Sequence, residues 1–304
     1  MRISFHTNAF VWAGENDIRK ISDYAISKDF DALELGPGIN LDEKKCKEVS
    51  KRIPISAMIY CRNFLDDDQE IREREKQELW KRMEFASEIG AEKIIISTGI
   101  SHNLSIPNEG GCNPKKSLPL ALEFIRRVLE RAEELGIMVL LENCPMYRNI
   151  ATSPYMWRQI FSNLRDNRLK LCYDPSHFVW QMIDVYGPAK EFHTKIDHIH
   201  VKNTVIRKNK LNDVGILHNT AKDKGWEENQ WWYHSLLQEG EIDWRKMLEC
   251  FGNEIPDLSF EMEDYRYQKS PETVALGLEK QMTYLKKILE AMKADRKPQQ
   301  GEHQ

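Results

Sequence analysis

The feature that most constrains the fold of this chain is a repeated alternation of short apolar runs with longer amphipathic, charged stretches. The apolar runs have the length of strands, and the stretches between them carry apolar residues at helical spacing. Strands that alternate with helices pair in parallel, because each helix carries the chain back to the same end of the sheet. Strands are predicted at residues 2–6, 31–36, 54–61, 92–98, 137–143, 169–174, 197–202 and 258–264.

Helical patterns occupy the segments between these strands. They are predicted at residues 15–28, 42–52, 68–90, 115–136, 153–164, 187–195, 243–252 and 271–294. Eight strand–helix units in 304 residues suit a single (β/α)8 TIM barrel, which needs about 250 residues. A doubly wound open sheet is the alternative fold. We predict one barrel over residues 1–294, with its active site at the C-terminal ends of the strands, and a disordered tail over 295–304.

The composition indicates a folded protein that is soluble and does not act mainly on nucleic acid. Hydrophobic residues make up 41% and charged residues 30% of the chain, which is ordinary for a folded protein. The formal net charge is −4, whereas a protein that binds nucleic acid through its phosphates usually carries excess positive charge. The 6 cysteines form no CxxC motif, which favours a reducing compartment. With no signal-peptide pattern and no apolar run long enough to cross a bilayer, we expect a cytoplasmic protein without membrane contact.

Two connections are longer than a barrel requires. Residues 99–114 and 203–240 each follow a predicted strand, so both are expected over the same end of the barrel. Long structureless loops in a compact domain are usually lids or binding loops, and we predict 203–240 as a substrate lid. The alternative is that its aromatic residues attach the loop to the barrel rim or to a second subunit. These residues are Trp226, Trp231, Trp232 and Tyr233.

Ionisable side chains stand where the apolar strands end. The fifth strand ends in Glu142. Side chains alternate between the two faces of a strand, so in the run DHIHVK the residues Ile199 and Val201 would pack outward under the helices. On this strand and on the other strands, the residues that face the interior of the barrel are then polar. It comprises His6, Glu34, Asp174, His198, His200, Lys202, Ser259, Glu261 and Glu263.

Carboxylates gathered at the mouth of a barrel repel one another and lose solvation, so they need compensation. A divalent cation supplies it, and two glutamates, an aspartate and an imidazole suit Mn²⁺, Mg²⁺, Co²⁺ or Zn²⁺. The predicted ligands are Glu142, Asp174, His200 and Glu261, whose first two spacings of 32 and 26 residues each equal one strand–helix unit. The alternative is an ion-pair network with Lys202 and Arg207 and no metal.

Four residues are candidates for substrate binding. His177 follows Asp174 by three residues in the run DPSH, and Trp232 lies in the long second connection. Lys202 would polarise a carbonyl or hold an anionic group, unless it serves only as a partner for the carboxylates. His6 is predicted to bind substrate as well; the alternative is a histidine whose hydrogen bonds are satisfied inside the barrel. No role is assigned to His102, His193, His218 or His234.

The chain resembles the xylose-isomerase-like barrels of the sugar phosphate isomerase/epimerase family. The resemblance rests on the segments LLENCP, YDPSHFVWQMID, IDHIHVKNT, WWYHSLLQEGEIDW and LSFEMED, in this order along nearly the whole chain. It implies a single divalent metal, with Mn²⁺ expected, that is bound by Glu142, Asp174, His200 and Glu261. It also implies that His177 touches a small carbohydrate substrate. Homo-oligomers are a family-level expectation.

In ketose 3-epimerases of this superfamily two glutamates move a proton α to a carbonyl, and the metal stabilises the enediolate. By position, this implies that Glu142 and Glu261 are the acid and base of a sugar isomerase or epimerase. A lyase or dehydratase acting on a keto sugar or an inosose, including C-glycoside cleavage, is the close alternative. Less favoured are an endonuclease IV-like apurinic nuclease, whose additional histidines and Asp-x-His pair are missing here, and a non-catalytic sugar-binding barrel.

Overall fold

The computed structural model describes residues 1–101, 114–216 and 230–295. Ten strands lie within these ranges, and eight of them form one parallel sheet. In chain order they are β1 (Ile3–Phe5), β2 (Leu33–Leu35), β3 (Ile55–Ile59), β4 (Lys93–Ile96), β5 (Met138–Glu142), β6 (Leu169–Tyr173), β7 (Ile196–Val201), β8 (Asn203–Ile206), β9 (Trp232–Ser235) and β10 (Asp257–Phe260).

The sheet closes on itself. Its strand order is β1-β10-β7-β6-β5-β4-β3-β2, with parallel pairing throughout. The two outer members of this order, β1 and β2, meet at a parallel bridge between His6 and Glu34. There the backbone N–H of Thr7 donates to the carbonyl of Glu34 at 3.0 Å. The predicted (β/α)8 TIM barrel is therefore confirmed, and the open sheet is excluded.

Helices surround the barrel. They are α1 (Asn8–Trp12), α2 (Ile18–Ser27), α3 (Glu43–Ser50), α4 (Gln69–Glu88), α5 (Pro114–Leu135), α6 (Pro154–Asn163), α7 (Pro175–Trp180), α8 (Tyr186–Glu191), α9 (Lys208–Val214), α10 (Trp244–Glu249) and α11 (Pro271–Asp295). Several begin where the local sequence favours it: Asp17, Asp42 and Asp68 each accept a backbone N–H of the first turn of the helix that follows, which is the preferred N-cap arrangement.

Element boundaries differ from the sequence expectation at the ends of strands. The last barrel strand was expected over 258–264, but β10 ends at Phe260, so Glu261 and Glu263 stand on the segment that leaves the strand. The short helices α1 and α7 also lie where only loops were expected. Both begin within three residues of the end of a barrel strand, and short runs of this kind carry too little periodicity to be recognised from sequence.

The expectation of a structureless connection over 203–240 is wrong for the part that the structure describes. Strands β8 and β9 pair antiparallel there, from Asn203 opposite Ser235 to Ile206 opposite Trp232. Both strands are rich in β-branched and aromatic residues, which favour strands. Residues 217–229, which include Trp226, lie outside the described residues, as do 102–113 of the other long connection. Of the predicted tail, residue 295 ends α11 and 296–304 are not described.

The β8–β9 hairpin is tied to the barrel by the side chain of Asn203. Its amide nitrogen donates to the carbonyls of Leu237 at 2.7 Å and Ile242 at 2.9 Å. Its amide oxygen accepts the backbone N–H groups of Thr204 and Ile242, both at 2.9 Å. Since Asn203 is fully buried, these four hydrogen bonds hold the base of the hairpin in one position.

Inside the barrel, an apolar wall faces a polar one. The apolar wall is contributed by β3 to β6 and the second residue after β3, and its members are Ala57, Ile59, Cys61, Ile95, Leu140 and Cys172. The opposite wall carries Ser4, His6, Glu34, His198, His200 and Ser259, all buried. Within the described residues, no helix combines the length and apolar character that a membrane crossing requires.

Candidate metal centre and substrate cavity

Four ionisable residues come together at the C-terminal ends of β5, β6, β7 and β10, which are neighbours in the sheet. They are Glu142, Asp174, His200 and Glu261, and one ligand atom from each lies within 4.8 Å of the others. His200 Nδ1 is 3.0 Å from Glu142 Oε1 and 3.4 Å from Glu261 Oε2. All four are buried, so the structure brings together the whole ligand set that the sequence predicts.

Asp174 has one carboxylate oxygen committed to the fold and one directed at this cluster. Its Oδ1 caps α7, accepting the backbone N–H of Ser176 at 2.9 Å and the Ser176 hydroxyl at 2.5 Å. Pro175 occupies the first helical position, as is common after an N-cap aspartate. Asp174 Oδ2 accepts no hydrogen bond from the described residues, although Lys202 Nζ is 3.0 Å away. Such an oxygen is suited to a cation.

Glu34 orients the imidazole of His200 through the ring nitrogen that faces away from the cluster. Its carboxylate contacts His200 Nε2 at 3.0 Å and His198 Nε2 at 2.8 Å, and all three side chains are fully buried. A carboxylate on the far nitrogen of a histidine fixes the ring and raises its basicity toward a metal on the other nitrogen. His200 Nδ1 is therefore the ligand atom available to the cluster.

Burial and neighbouring charges shift the pKa values of the cluster residues. Burial raises the pKa of Glu261 to about 8, against the opposing effect of His200 and Lys202. Burial alone would also raise the pKa of Glu142, but the hydrogen bond and charge of His200 outweigh it, and the pKa falls below its ordinary value. Burial acts to lower the pKa of His200, but the carboxylates of Glu261 and Glu34 help to raise it well above 6.5. The cluster carries more negative charge than its own cations neutralise.

Lys202 is held by the carboxylates around it. Its ammonium is 2.6 Å from Glu261 Oε2 and 3.0 Å from Asp174 Oδ2, and it also donates to Glu263 Oε2. Its hydrogen bonds go to Glu261 and Glu263, whereas Asp174 Oδ2 is a charged neighbour without one. These contacts suit a partner for the carboxylates, and substrate binding by Lys202, which also lines the cavity, stays a prediction. Arg207 lies elsewhere, donating to the carbonyl of Gln230 and stacking over Tyr233.

A cavity of about 430 Å³ opens above the cluster. Among the predicted substrate residues, His6, His177 and Lys202 line it together with the two glutamates Glu142 and Glu261. His6 Nε2 and His177 Nδ1 are buried and have no hydrogen-bond partner in the described part of the chain. Neither nitrogen is committed to another group of the described residues.

Trp232, the fourth predicted substrate residue, is placed differently from His6, His177 and Lys202. Its ring stacks on Trp180 with centroids 4.8 Å apart and planes 4° from parallel, and it is absent from the described residues that line the cavity. A direct contact of Trp232 with substrate therefore stays a prediction, while its packing supports the β8–β9 hairpin.

Two residues of the site were not expected from the sequence. His234, on β9, lines the cavity beside His177, their ring centroids 5.5 Å apart. The Cys61 thiol lies 3.2 Å from Glu142 Oε2 and donates to it, and burial raises the pKa of this thiol well above 9.0, so the donor proton is retained. The position of Cys61 at the end of the predicted strand 54–61 was a usable signal. His234 had none, because its strand lies in an apparent loop.

The donor set fits a hard or borderline divalent cation. Three carboxylates and one imidazole match the preferences of Mn²⁺, Mg²⁺, Co²⁺ and Zn²⁺, and Asp174 Oδ2 supplies a buried oxygen without a hydrogen bond. Two other groups of possible ligands overlap it, one with Cys172 and one with Cys144. Burial raises the pKa of both thiols, which disfavours the thiolate that a metal needs. The oxygen-rich set is the better site.

A closed (β/α)8 barrel with a carboxylate–imidazole cluster at the strand ends defines a class of barrel that can bind a metal at its active-site end. The sequence profile of one family, described as xylose isomerase-like TIM barrel, matches residues 23–288. The chain belongs to this family.

Individual proteins are similar to this chain in sequence or in fold. The uncharacterized protein YfiH of Bacillus subtilis (strain 168) is 24% identical over 302 residues, covering 87% of this chain and 93% of its own. Among solved structures, L-ribulose 3-epimerase superposes with a TM-score of 0.72 at 15% identity, over 100% of this chain and 99% of its own. The probable 3-DHS dehydratase AsbF of Bacillus anthracis gives 0.69 at 15% identity, over 94% and 99%.

A third solved structure, the IolI protein with a bound zinc atom, gives a TM-score of 0.68 at 16% identity, over 95% of this chain and 96% of its own. At these identities the likeness shows a shared fold. The structures with this fold thus include sugar epimerases, a dehydratase and a zinc-binding barrel.

Proposed function

We propose that this protein is a divalent-metal-dependent isomerase or epimerase that moves a proton next to the carbonyl of a keto sugar. The observation that carries the proposal is the convergence of Glu142, Asp174, His200 and Glu261 within 4.8 Å at the floor of a cavity. Catalysis of this kind needs charge compensation and proton transfer at one point. The four side chains can supply both.

The metal is proposed to be held by the two glutamates, the aspartate and His200 Nδ1, with Mn²⁺ as the expected ion. When bound, it would supply Lewis acidity that makes a C–H bond beside a carbonyl easier to deprotonate. Glu34 keeps the His200 ring in position for this role through its 3.0 Å contact with Nε2. Cys61 does the same for Glu142 through its thiol.

Glu142 and Glu261 are the proposed acid and base. They stand on β5 and after β10, separated in the sheet by β6 and β7, so they approach the cluster from different sides. Two such groups on opposite sides of a substrate carbon allow removal of a proton from one face and its return to the other. Inversion at that carbon is the natural result, and transfer by a single group would instead favour isomerisation.

His177 and His6 are proposed to bind the sugar. Both rings line the cavity, each has a ring nitrogen without a hydrogen-bond partner among the described residues, and a hydroxyl group can donate to or accept from an imidazole. Lys202 is proposed to act on substrate chiefly by holding Asp174, Glu261 and Glu263 in place. The substrate is expected to be a small carbohydrate.

A lyase or dehydratase on a keto sugar is the second candidate. It is favoured by the fold shared with the probable 3-DHS dehydratase AsbF at a TM-score of 0.69. Elimination begins with the same proton removal, and the second carboxyl group would then protonate a departing hydroxyl instead of the carbon. The product distinguishes the two reactions.

The test uses protein stripped with a chelator and reloaded with Mn²⁺, Mg²⁺, Co²⁺ or Zn²⁺, incubated in D₂O with L-ribulose or D-tagatose. Deuterium at the carbon beside the carbonyl, with one metal ion per chain, would support the proposal. A new sugar epimer in the products indicates epimerisation, an aldose indicates isomerisation, and a dehydrated product indicates the lyase. Absence of exchange with every metal, on a panel extended to other keto sugars and inososes, would contradict it.

A further inference from the structure

The β8–β9 hairpin places one histidine in the cavity with a defined hydrogen-bond pattern. His234 is 7% exposed, and its Nδ1 lies 3.0 Å from the hydroxyl of Thr204 on the paired strand. The Thr204 hydroxyl is also 3.1 Å from the backbone carbonyl of Ser176. This chain of contacts joins the hairpin to the first turn of α7, which carries His177.

The pattern determines which nitrogen of His234 carries the proton. A carbonyl oxygen can only accept a hydrogen bond, so the Thr204 hydroxyl donates to Ser176. Thr204 Oγ1 is then the acceptor for His234, and Nδ1 carries the hydrogen. Burial lowers the pKa of His234 to about 3, so the ring has a single proton. Its Nε2 is therefore an acceptor.

The groups next to Nε2 are acceptors as well. Glu263 Oε2 lies 3.6 Å from it, beyond the usual range of a hydrogen bond. That same oxygen accepts a hydrogen bond from Lys202. Lys202 in turn donates hydrogen bonds to Glu263 and Glu261, and Asp174 Oδ2 is a charged neighbour at 3.0 Å. None of the described residues donates a hydrogen bond to His234 Nε2, so this nitrogen is left for a donor on a bound molecule.

We propose that His234 Nε2 is the acceptor for a hydroxyl group of the substrate, so that the hairpin forms a polyol-binding subsite of the cavity. The proposal rests on the proposed function for the identity of the substrate as a sugar. A carbonyl or a carboxylate has no proton to donate at neutral pH, so neither can satisfy Nε2. The subsite therefore takes a hydroxyl-bearing part of the molecule.

The subsite is held rigid before substrate arrives. Trp232, two residues before His234 on the same strand, stacks on Trp180, and its ring centroid is 5.2 Å from that of His234. The four hydrogen bonds of the Asn203 side chain hold the base of the hairpin. A fixed acceptor loses little freedom on binding, which favours affinity and orientation of the ligand.

The first measurement is ¹⁵N NMR of the histidine side chains in protein loaded with Zn²⁺, which is diamagnetic. We expect the His234 ring as the Nδ1–H tautomer, with Nε2 unprotonated. Addition of L-ribulose or D-tagatose should move the Nε2 resonance upfield while Nδ1 stays in place. His193, which is exposed and bonds the carbonyl of Lys190, is the internal control and should not respond.

The second measurement compares two variants. His234→Phe keeps an aromatic ring beside Trp232 and His177 but has no acceptor, and His234→Gln returns a side-chain oxygen. We expect the Phe variant to raise KM for the sugar about tenfold, as for loss of a hydrogen bond with a buried polar partner left behind. Its kcat should change far less, its metal content should be unchanged, and the Gln variant should recover part of the loss.

The outcomes separate this inference from the proposed function. A protonated Nε2 in the free protein, or a Phe variant with unchanged sugar affinity, overturns the subsite even while metal-dependent exchange proceeds. A sugar that shifts the Nε2 resonance without any deuterium exchange supports the subsite and contradicts the proposed reaction. If none of the tested keto sugars and inososes binds, even at concentrations 100-fold above cellular levels, both the subsite and the proposed function are overturned.

Discussion

The two ends of this barrel contain the same kinds of charged residue, but they differ in how completely the buried charges are paired. At the N-terminal end, Arg2 bridges Asp257 at 2.6 Å and Glu92 at 2.7 Å. Lys93 bridges Asp257 at 3.0 Å and Asp197 at 2.7 Å. Each cation has acidic partners and each acid a cation, so this network closes the bottom of the barrel without surplus buried charge.

At the C-terminal end the charges do not balance. Among the described residues that line the cavity, Lys202 is the one lysine or arginine, and burial lowers the pKa of four of the five histidines in and beneath the site. Against Lys202 and the protonated His200 stand five acidic groups, of which Glu261, with its pKa of about 8, keeps its proton at neutral pH. They are Glu34, Glu142, Asp174, Glu261 and Glu263. Paired charge at the N-terminal end therefore stabilises the fold, whereas the surplus of acidic groups at the C-terminal end is suited to binding a cation.

The largest effect is expected from neutralising one acidic group at the C-terminal end. Glu142→Gln and Glu261→Gln should each lower the rate of sugar C–H exchange by about 10³-fold, within the range of lost acid–base catalysis, and lower the bound metal below one ion per chain. Exchange is followed by NMR in D₂O and metal by elemental analysis.

The matched control removes the same charge from the other end. Glu92→Gln changes a side chain that is 59% exposed in the N-terminal network, and it should leave both readouts unchanged. If Glu261→Gln keeps more than a tenth of the exchange rate, Glu261 is not part of the proton transfer.

Metal binding should stabilise the protein through the C-terminal end alone. A ligand that binds only the native state at 100 times its Kd adds about 2.7 kcal/mol to the free energy of unfolding. Chelator-treated and Mn²⁺-loaded protein are compared by thermal melting. Asp257→Asn should keep the stabilisation and Glu142→Gln should lose it. Equal stabilisation of both variants would place the ion outside the predicted cluster.

The N-terminal network should make stability depend on acid. Its ion pairs with Arg2 and Lys93 outweigh burial and hold the pKa of Asp257 below its ordinary 3.8. A carboxyl with a lowered folded-state pKa stabilises the protein above its unfolded-state value, and that contribution disappears as pH falls further. The free energy of unfolding attributable to Asp257 should therefore be complete above about pH 5 and decline below pH 4.

Asp257→Asn tests this contribution directly. Lys93 keeps Asp197 as a partner and Arg2 keeps Glu92, so the expected loss at pH 7 is about 2 kcal/mol, that of hydrogen bonds to charged groups. Denaturant unfolding at pH 7, 5 and 3 measures it. The difference between wild type and variant should shrink toward pH 3, and a constant difference would mean that Asp257 acts by packing and not by charge.

The smallest effect concerns the thiol that supports Glu142. Cys61→Ala removes one neutral hydrogen-bond donor from Glu142 Oε2 and should weaken metal binding about fivefold, in line with the net value of one hydrogen bond. Cys61→Ser retains a donor and should lie closer to wild type. Competition of Mn²⁺ with a coloured chelator gives both affinities. Identical values for the two variants would show that the thiol does not orient Glu142.

Much of the barrel and of its candidate cluster can be predicted because both follow from short-range periodicity. The order of eight strands and the inward direction of His200 and Asp174 require only alternation along each strand. Glu261 was predicted inside the last strand but stands just beyond β10, and it reaches the cluster nonetheless, because strand ends and the first loop residues share the mouth of the barrel.

Other features depended on contacts between distant segments. The pairing of β8 with β9 joins Asn203 to Ser235, and nothing in either segment alone reveals it, since residues 207–231 separate the two strands. His234 enters the site by that pairing. In the same way, only the folded barrel brings Glu34 from β2 onto His200 of β7.

Local patterns along the chain were enough to predict the barrel, the end at which its ionisable residues gather, and the four residues of the cluster, because strand alternation and unit length are local properties. The charge and the partner of each group follow only from the folded barrel: the three acids around Lys202, the nitrogen of His200 left for the cluster, and the proton position on His234. Those depend on distances and burial, which arise only when strands far apart in the chain are packed side by side.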